Sequence, residues 1–136
     1  MNVEEPRFKH GKLTHQIIGV FYEVYNELGH GFLESVYENA TAIALRAVGL
    51  RAEQQAPVPV WFRGQQVGDF RADIVVEGSV IVELKAARAI EPVHEAQLLN
   101  YLRATPIEVG LLLNFGLKPE FKQLLFDNDR KALPSH

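Results

Sequence analysis

The sequence predicts one α/β sandwich on a mixed sheet, and three observations carry that fold class. Two helix-period segments open the chain, strand-like runs follow, and a further helical segment precedes the last apolar run, an order that suits helices packed on a mixed sheet. Phe70–Val76 and Val80–Lys85 are β-branched runs separated by Glu77-Gly78-Ser79, which reads as a hairpin. Val109–Phe115 is a continuous apolar run, the pattern of a strand covered on both faces.

In chain order, residues 1–12 are polar and mixed in charge, which predicts a loose arm. Thr14 is the expected N-cap of a helix to Leu28, with Ile17, Ile18, Phe21, Tyr25 and Leu28 at helical spacing and Gly29 ending it. Gly29-His30-Gly31 breaks the chain. A second helix is expected from about Leu33 to Val48, its apolar face being Val36, Ala40, Ile43, Ala44 and Ala47, with Gly49 as C-cap. Gln55–Arg63 alternates like a strand, and Pro57 and Pro59 assign it to a sheet edge. Arg63-Gly64-Gln65-Gln66 is the expected turn into the hairpin. Glu91-Pro92 opens a third helix to about Arg103, proline taking the first helical position. Leu98, Leu99 and Leu102 form its core side, and His94, Gln97 and Tyr101 a polar stripe. Phe121–Phe126 fits either a last strand or a short helix, and 127–136 reads as a polar tail. The single domain therefore spans 13–126.

Composition narrows the class of function. A chain of 136 residues, 47% hydrophobic, supports one domain with a true core. It has no cysteine, which excludes disulfides and thiolate metal sites and fits a reducing compartment. The acidic start Met1–Pro6 is not a signal peptide, and no stretch approaches the roughly 20 apolar residues of a membrane span. A soluble cytoplasmic protein is expected. The net charge of −3 lacks the basic footprint of a nucleic-acid binder, although a metal centre would add local positive charge.

The chemistry concentrates on the hairpin. Residues two apart in a strand share a face, so Glu83 and Lys85 point the same way with Ile81, while Val82 and Leu84 fill the other side. Asp73 lies on the partner strand, and Asp69, four residues earlier, is its rival on the same strand face. Two carboxylates on adjacent strands can hold a hard divalent cation through oxygen, and a lysine two residues on can reach a phosphate or a water. Glu34 falls in the first turn of the second helix, a position that also suits a carboxylate because of the helix dipole.

Gly31-Phe32-Leu33-Glu34-Ser35-Val36-Tyr37 resembles the signature of the GxxExxY proteins, and Asp73…Glu83-Leu84-Lys85 resembles the core of the PD-(D/E)XK nuclease superfamily. Ala72 stands where the name-giving proline would be. Gln97-Leu98-Leu99-Asn100-Tyr101 is similar to the Gln-x-x-x-Tyr motif of the RecB-type and lambda-exonuclease-like branch. The resemblance implies a restriction-endonuclease-like α-β-β-β-α-β core and Mg²⁺- or Mn²⁺-dependent cleavage of nucleic acid, DNA above all. It further implies that Asp73, Glu83, Glu34 and the Leu84 carbonyl hold the metal, that Lys85 acts on the attacking water, and that Gln97 and Tyr101 support the site. A catalytically inactive module of the same fold, binding nucleic acid or a partner protein, is the alternative. A domain this small would gain from a second copy on a long duplex, so a homo-oligomer is a further expectation.

Overall fold

The computed structural model describes residues 10–133. Residues 1–9 of the expected arm and 134–136 of the expected tail lie outside the described residues. Helix α1, Gly11–Leu28, starts before Thr14, whose hydroxyl donates to the Gly11 carbonyl at 3.0 Å from inside the helix. Thr14 is therefore a buried helix residue and not the cap, because its Oγ1 is satisfied by the preceding turn. At the other end Gly29, at φ 68°, donates to the Tyr25 carbonyl.

Helix α2, Glu34–Ala47, buries Tyr37, Thr41, Ala42 and Leu45. This corrects the expected face: Val36, Ile43 and Ala47 point outward, and Ala40 and Ala44 only flank the core. Tyr37 sets the rotation. Its ring stacks on Phe115 with centroids 4.1 Å apart, and its hydroxyl donates to the Gly29 carbonyl at 2.6 Å. An alanine-rich face offers too little area to compete with that aromatic.

Five strands follow the order β1-β2-β3-β4-β5: β1 Ala52–Phe62, β2 Gln65–Val76, β3 Val80–Lys85, β4 Val109–Phe115 and β5 Pro119–Leu125. Every pairing is antiparallel except β3–β4, whose parallel register is made by the crossover helix α3, Pro92–Ala104. The β1–β2 turn is only Arg63-Gly64, both at positive φ as a type I′ turn requires, so Gln65 and Gln66 already pair with Phe62 and Trp61. β1 starts at Ala52, three residues before the expected Gln55, and occupies a sheet edge with its two prolines. β5 resolves the ambiguous 121–126 segment as strand.

The expected polar tail is partly docked. Asn128–Arg130 forms a 3₁₀ turn, and Lys131 donates to the carbonyls of Thr105 and Ile107 at 2.8 and 2.7 Å. Those carbonyls lie between α3 and β4, where the ammonium satisfies them.

The sheet separates two apolar clusters. On one face α1 and α2 bury Ile17, Phe21, Tyr37 and Leu45 against Val82, Leu84, Leu113 and Phe115. On the other, α3 buries Leu98 and Leu102 against Ile81, Leu112 and Phe126. Gly110 in β4 makes this approach possible, because a Cβ there would lie 2.7 Å from the Leu98 side chain. β3 pairs only with Ile74–Val76 of β2. The rest of the β1–β2 pair overhangs as a two-stranded ribbon beside α3.

Candidate active site

The β2–β3 ladder stops at Ile74–Val82, and the next two positions exchange side chains for backbone. The Asp73 N–H donates to Glu83 Oε2 at 2.8 Å, and the Leu84 N–H donates to Asp73 Oδ2 at 2.9 Å. The two carboxylates thus cap each other's strands. Each is held by a rigid backbone donor, which removes most of the rotamer freedom a surface carboxylate keeps. Glu83 is 3% exposed, while Asp73 is half-buried.

Lys85, next on the Glu83 face, donates from Nζ to Gln97 Oε1 at 3.2 Å. Gln97 in turn donates to the Tyr101 hydroxyl at 3.3 Å. That is the i, i+4 spacing of α3, whose polar stripe faces the end of β3. Tyr101 does double duty: its ring is buried in the α3 cluster, and its oxygen meets the polar stripe. The structure therefore brings together Asp73, Glu83, Leu84, Lys85, Gln97 and Tyr101. Glu34 is exposed in the first turn of α2, and among the described residues no hydrogen bond or ion pair joins it to that group. Among the described residues no three Asp, Glu or His side chains gather closely enough to hold a metal ion. Asp69 is paired with Pro59 on the ribbon, beyond the β2–β3 ladder. His94 caps α3, accepting the Glu91 N–H on Nδ1 at 3.0 Å.

Three residues of the surroundings escaped the sequence reading. Asn114, fully buried across from Lys85 on β4, accepts the Ala87 N–H at 2.9 Å and donates to the Ala87 carbonyl at 3.0 Å. That paired bond anchors the backbone two residues after Lys85 and so directs the end of β3. Its place inside an apolar run was the available signal, since a buried amide must find partners. Glu38 of α2 accepts from Gln54 and Gln55 of β1 at 2.8 and 2.6 Å. Gln55 falls between the Gln54–Ile74 and Ala56–Ala72 pairs, where the β1–β2 ladder skips a position, and adopts φ 53°, a conformation that L-residues rarely take. Its carbonyl accepts from Arg71 at 3.2 Å, so helix and ribbon together hold it there.

Electrostatics follow from this packing. Burial, reinforced by the neighbouring Asp73 charge, pushes the Glu83 carboxyl up to about 9. Burial first, then the charges of Glu83 and Asp73, also raises Tyr101, which keeps its phenol neutral at ordinary pH. Without a cation the buried Glu83 carboxyl keeps its proton beside the Asp73 charge. A divalent ion can take that proton's place, and magnesium commonly uses one or two carboxylates with water and phosphate filling the other positions. The donor set therefore fits a hard cation.

The family model of the PD-(D/E)XK nuclease superfamily matches residues 11–124. The chain belongs to that superfamily. The mixed five-stranded sheet with helices on both faces agrees with the fold of the PD-(D/E)XK proteins. Among solved structures, the crystal structure of SSO0001 is similar, with a TM-score of 0.55 and 19% identity over 68% of this chain and 50% of that one. This PD-(D/E)XK chain thus spans about half the length of that relative, and the likeness concerns the fold alone. No curated protein matches.

Proposed function

We propose that this PD-(D/E)XK chain is a Mg²⁺- or Mn²⁺-dependent nuclease that hydrolyses DNA phosphodiester bonds. In finer classification we place it with the GxxExxY proteins, in the RecB-type, lambda-exonuclease-like branch. One observation carries the reading: two carboxyl groups locked against each other by backbone donors, with a lysine beside them on the same strand face.

Asp73, Glu83 and the Leu84 carbonyl would hold the cation, with Glu34 reaching it directly or through water. When bound, the ion supplies positive charge to the phosphodiester and acidifies a water. The chain's own residues do the rest. Lys85 presents an ammonium toward the attacking water or a phosphate oxygen. Gln97 holds that ammonium in place, and Tyr101 holds Gln97. Such positioning keeps the charge oriented before the substrate arrives, which is where electrostatic catalysis gains its effect.

The test pairs two measurements. Calorimetric titration of Mn²⁺ should show binding by the wild type that collapses in Asp73→Asn. Lys85→Ala should keep the metal and lose cleavage by about 10²- to 10³-fold. Unchanged cleavage by Lys85→Ala would overturn these roles. A second reading, a silent module that uses the cleft to bind nucleic acid or a partner protein, is favoured by the lack of a third metal-holding side chain among the described residues. Metal binding without cleavage of any substrate would support it.

A further inference from the structure

Between α3 and the overhanging ribbon lies a cavity of about 590 Å³, within the range of small-molecule sites. Trp61 and Phe70 line it from the ribbon, and Gln97, Asn100, Tyr101 and Arg103 from α3. Phe70 is 49% exposed, and its ring lies 6.0 Å from that of Tyr101. Exposed aromatic surface around a concavity marks a candidate ligand site.

Two features say what fits. The cavity is continuous with the candidate active site, because Gln97 and Tyr101 belong to both. Its lining joins aliphatic walls from Val60, Val93 and Leu133 to aromatic faces, two side-chain amides and one guanidinium, which suits a flat heteroaromatic ring that carries hydrogen-bonding edges and a phosphate. We propose that this cavity receives an unpaired nucleobase of the DNA strand engaged at Asp73, Glu83 and Lys85. The chain accordingly prefers single-stranded or frayed DNA, since a base inside a continuous duplex remains stacked on its neighbours. This inference rests on the reading of the adjacent carboxylate site as one that engages nucleic acid.

Trp61 is the single tryptophan of the chain, so it reports on the cavity directly. An oligothymidylate of about 12 nucleotides, titrated in metal-free buffer into the wild type and into Asp73→Asn, should quench its fluorescence to saturation. The Asp73→Asn arm removes carboxylate repulsion. An abasic strand of the same length, and a blunt duplex, should bind about tenfold more weakly and leave the emission unchanged. Phe70→Ala should lower affinity for the oligothymidylate about tenfold. Ala96→Phe, which obstructs the cavity from an exposed helix position, should do the same.

Equal quenching by the abasic strand, or full affinity in both variants, overturns the proposal. So does emission that follows protein concentration alone, which would assign the cavity to a second copy. Metal-dependent cleavage without quenching sinks this inference and leaves the nuclease reading standing. Quenching without cleavage under any metal does the reverse.

Discussion

The two faces of the sheet are built to different ends. Under α1 and α2 the cover is complete: Phe21 meets Phe115 edge-on at 4.9 Å, Tyr37 stacks on the same ring, and all three are buried. Under α3 the apolar contact is confined to a few residues around Leu98 and Leu102, and the remainder opens into the cavity and the carboxylate pair. The same strands serve both faces, because alternate residues of β3 look opposite ways. Val82 and Leu84 anchor the closed side while Glu83 and Lys85 face the open one. The closed face supplies stability that the open face spends, since a buried carboxyl pair is costly without a cation.

Substitutions should reveal that asymmetry, the largest on the closed face. Phe21→Ala should cost about 3–5 kcal/mol in chemical denaturation, because no neighbouring side chain can refill a fully buried aromatic site. Asn114→Ala should cost about 1–3 kcal/mol by stranding both Ala87 backbone groups, and should reduce turnover more than metal affinity. An effect that is smaller within any one pH unit is expected at Glu83. Its folded value lies above its unfolded one, so the folded state retains a proton that the unfolded state releases between pH 4.5 and about 9. Metal-free protein should therefore lose stability as pH rises through that window, with a slope from this group of at most about 1.4 kcal/mol per pH unit. Glu83→Gln, which mimics the protonated form, should flatten this part of the slope in denaturation curves taken across pH. Smallest of all, Lys122→Ala should change stability by less than about 1 kcal/mol, because in its 2.9 Å pair with Glu95 the lysine is exposed and the carboxylate only partly covered.

What could be read beforehand divides along physical lines. The β2–β3 hairpin, the edge position of β1, the Pro92 start of α3 and the apolar β4 each rest on a strong local rule, and each is present in the structure. The shared face of Glu83 and Lys85 and the stripe of Gln97 and Tyr101 were legible from strand alternation and helical spacing, whereas choosing Asp73 over Asp69 and grouping the two sets came from the family resemblance. The rotation of α2 was not legible, since one tyrosine hydroxyl reaching Gly29 outweighed five small or branched residues. Asn114 stayed hidden because its partner, Ala87, offers only backbone. Gln55 escaped because nothing in a glutamine announces positive φ. The position of Lys131 depends on carbonyls that become available only once α3 and β4 are placed.

The two prolines of β1 have a consequence for assembly. Pro57 and Pro59 sit two apart on the outermost strand, so their missing N–H groups fall along one side of it. An incoming strand would find no donors at those two positions, which blunts sheet extension at that border. The opposite border, β5, carries a single proline at its first residue. Growth by strand addition is thereby polarised: a second chain that joined this sheet would be steered to β5, away from the ribbon and the carboxylates.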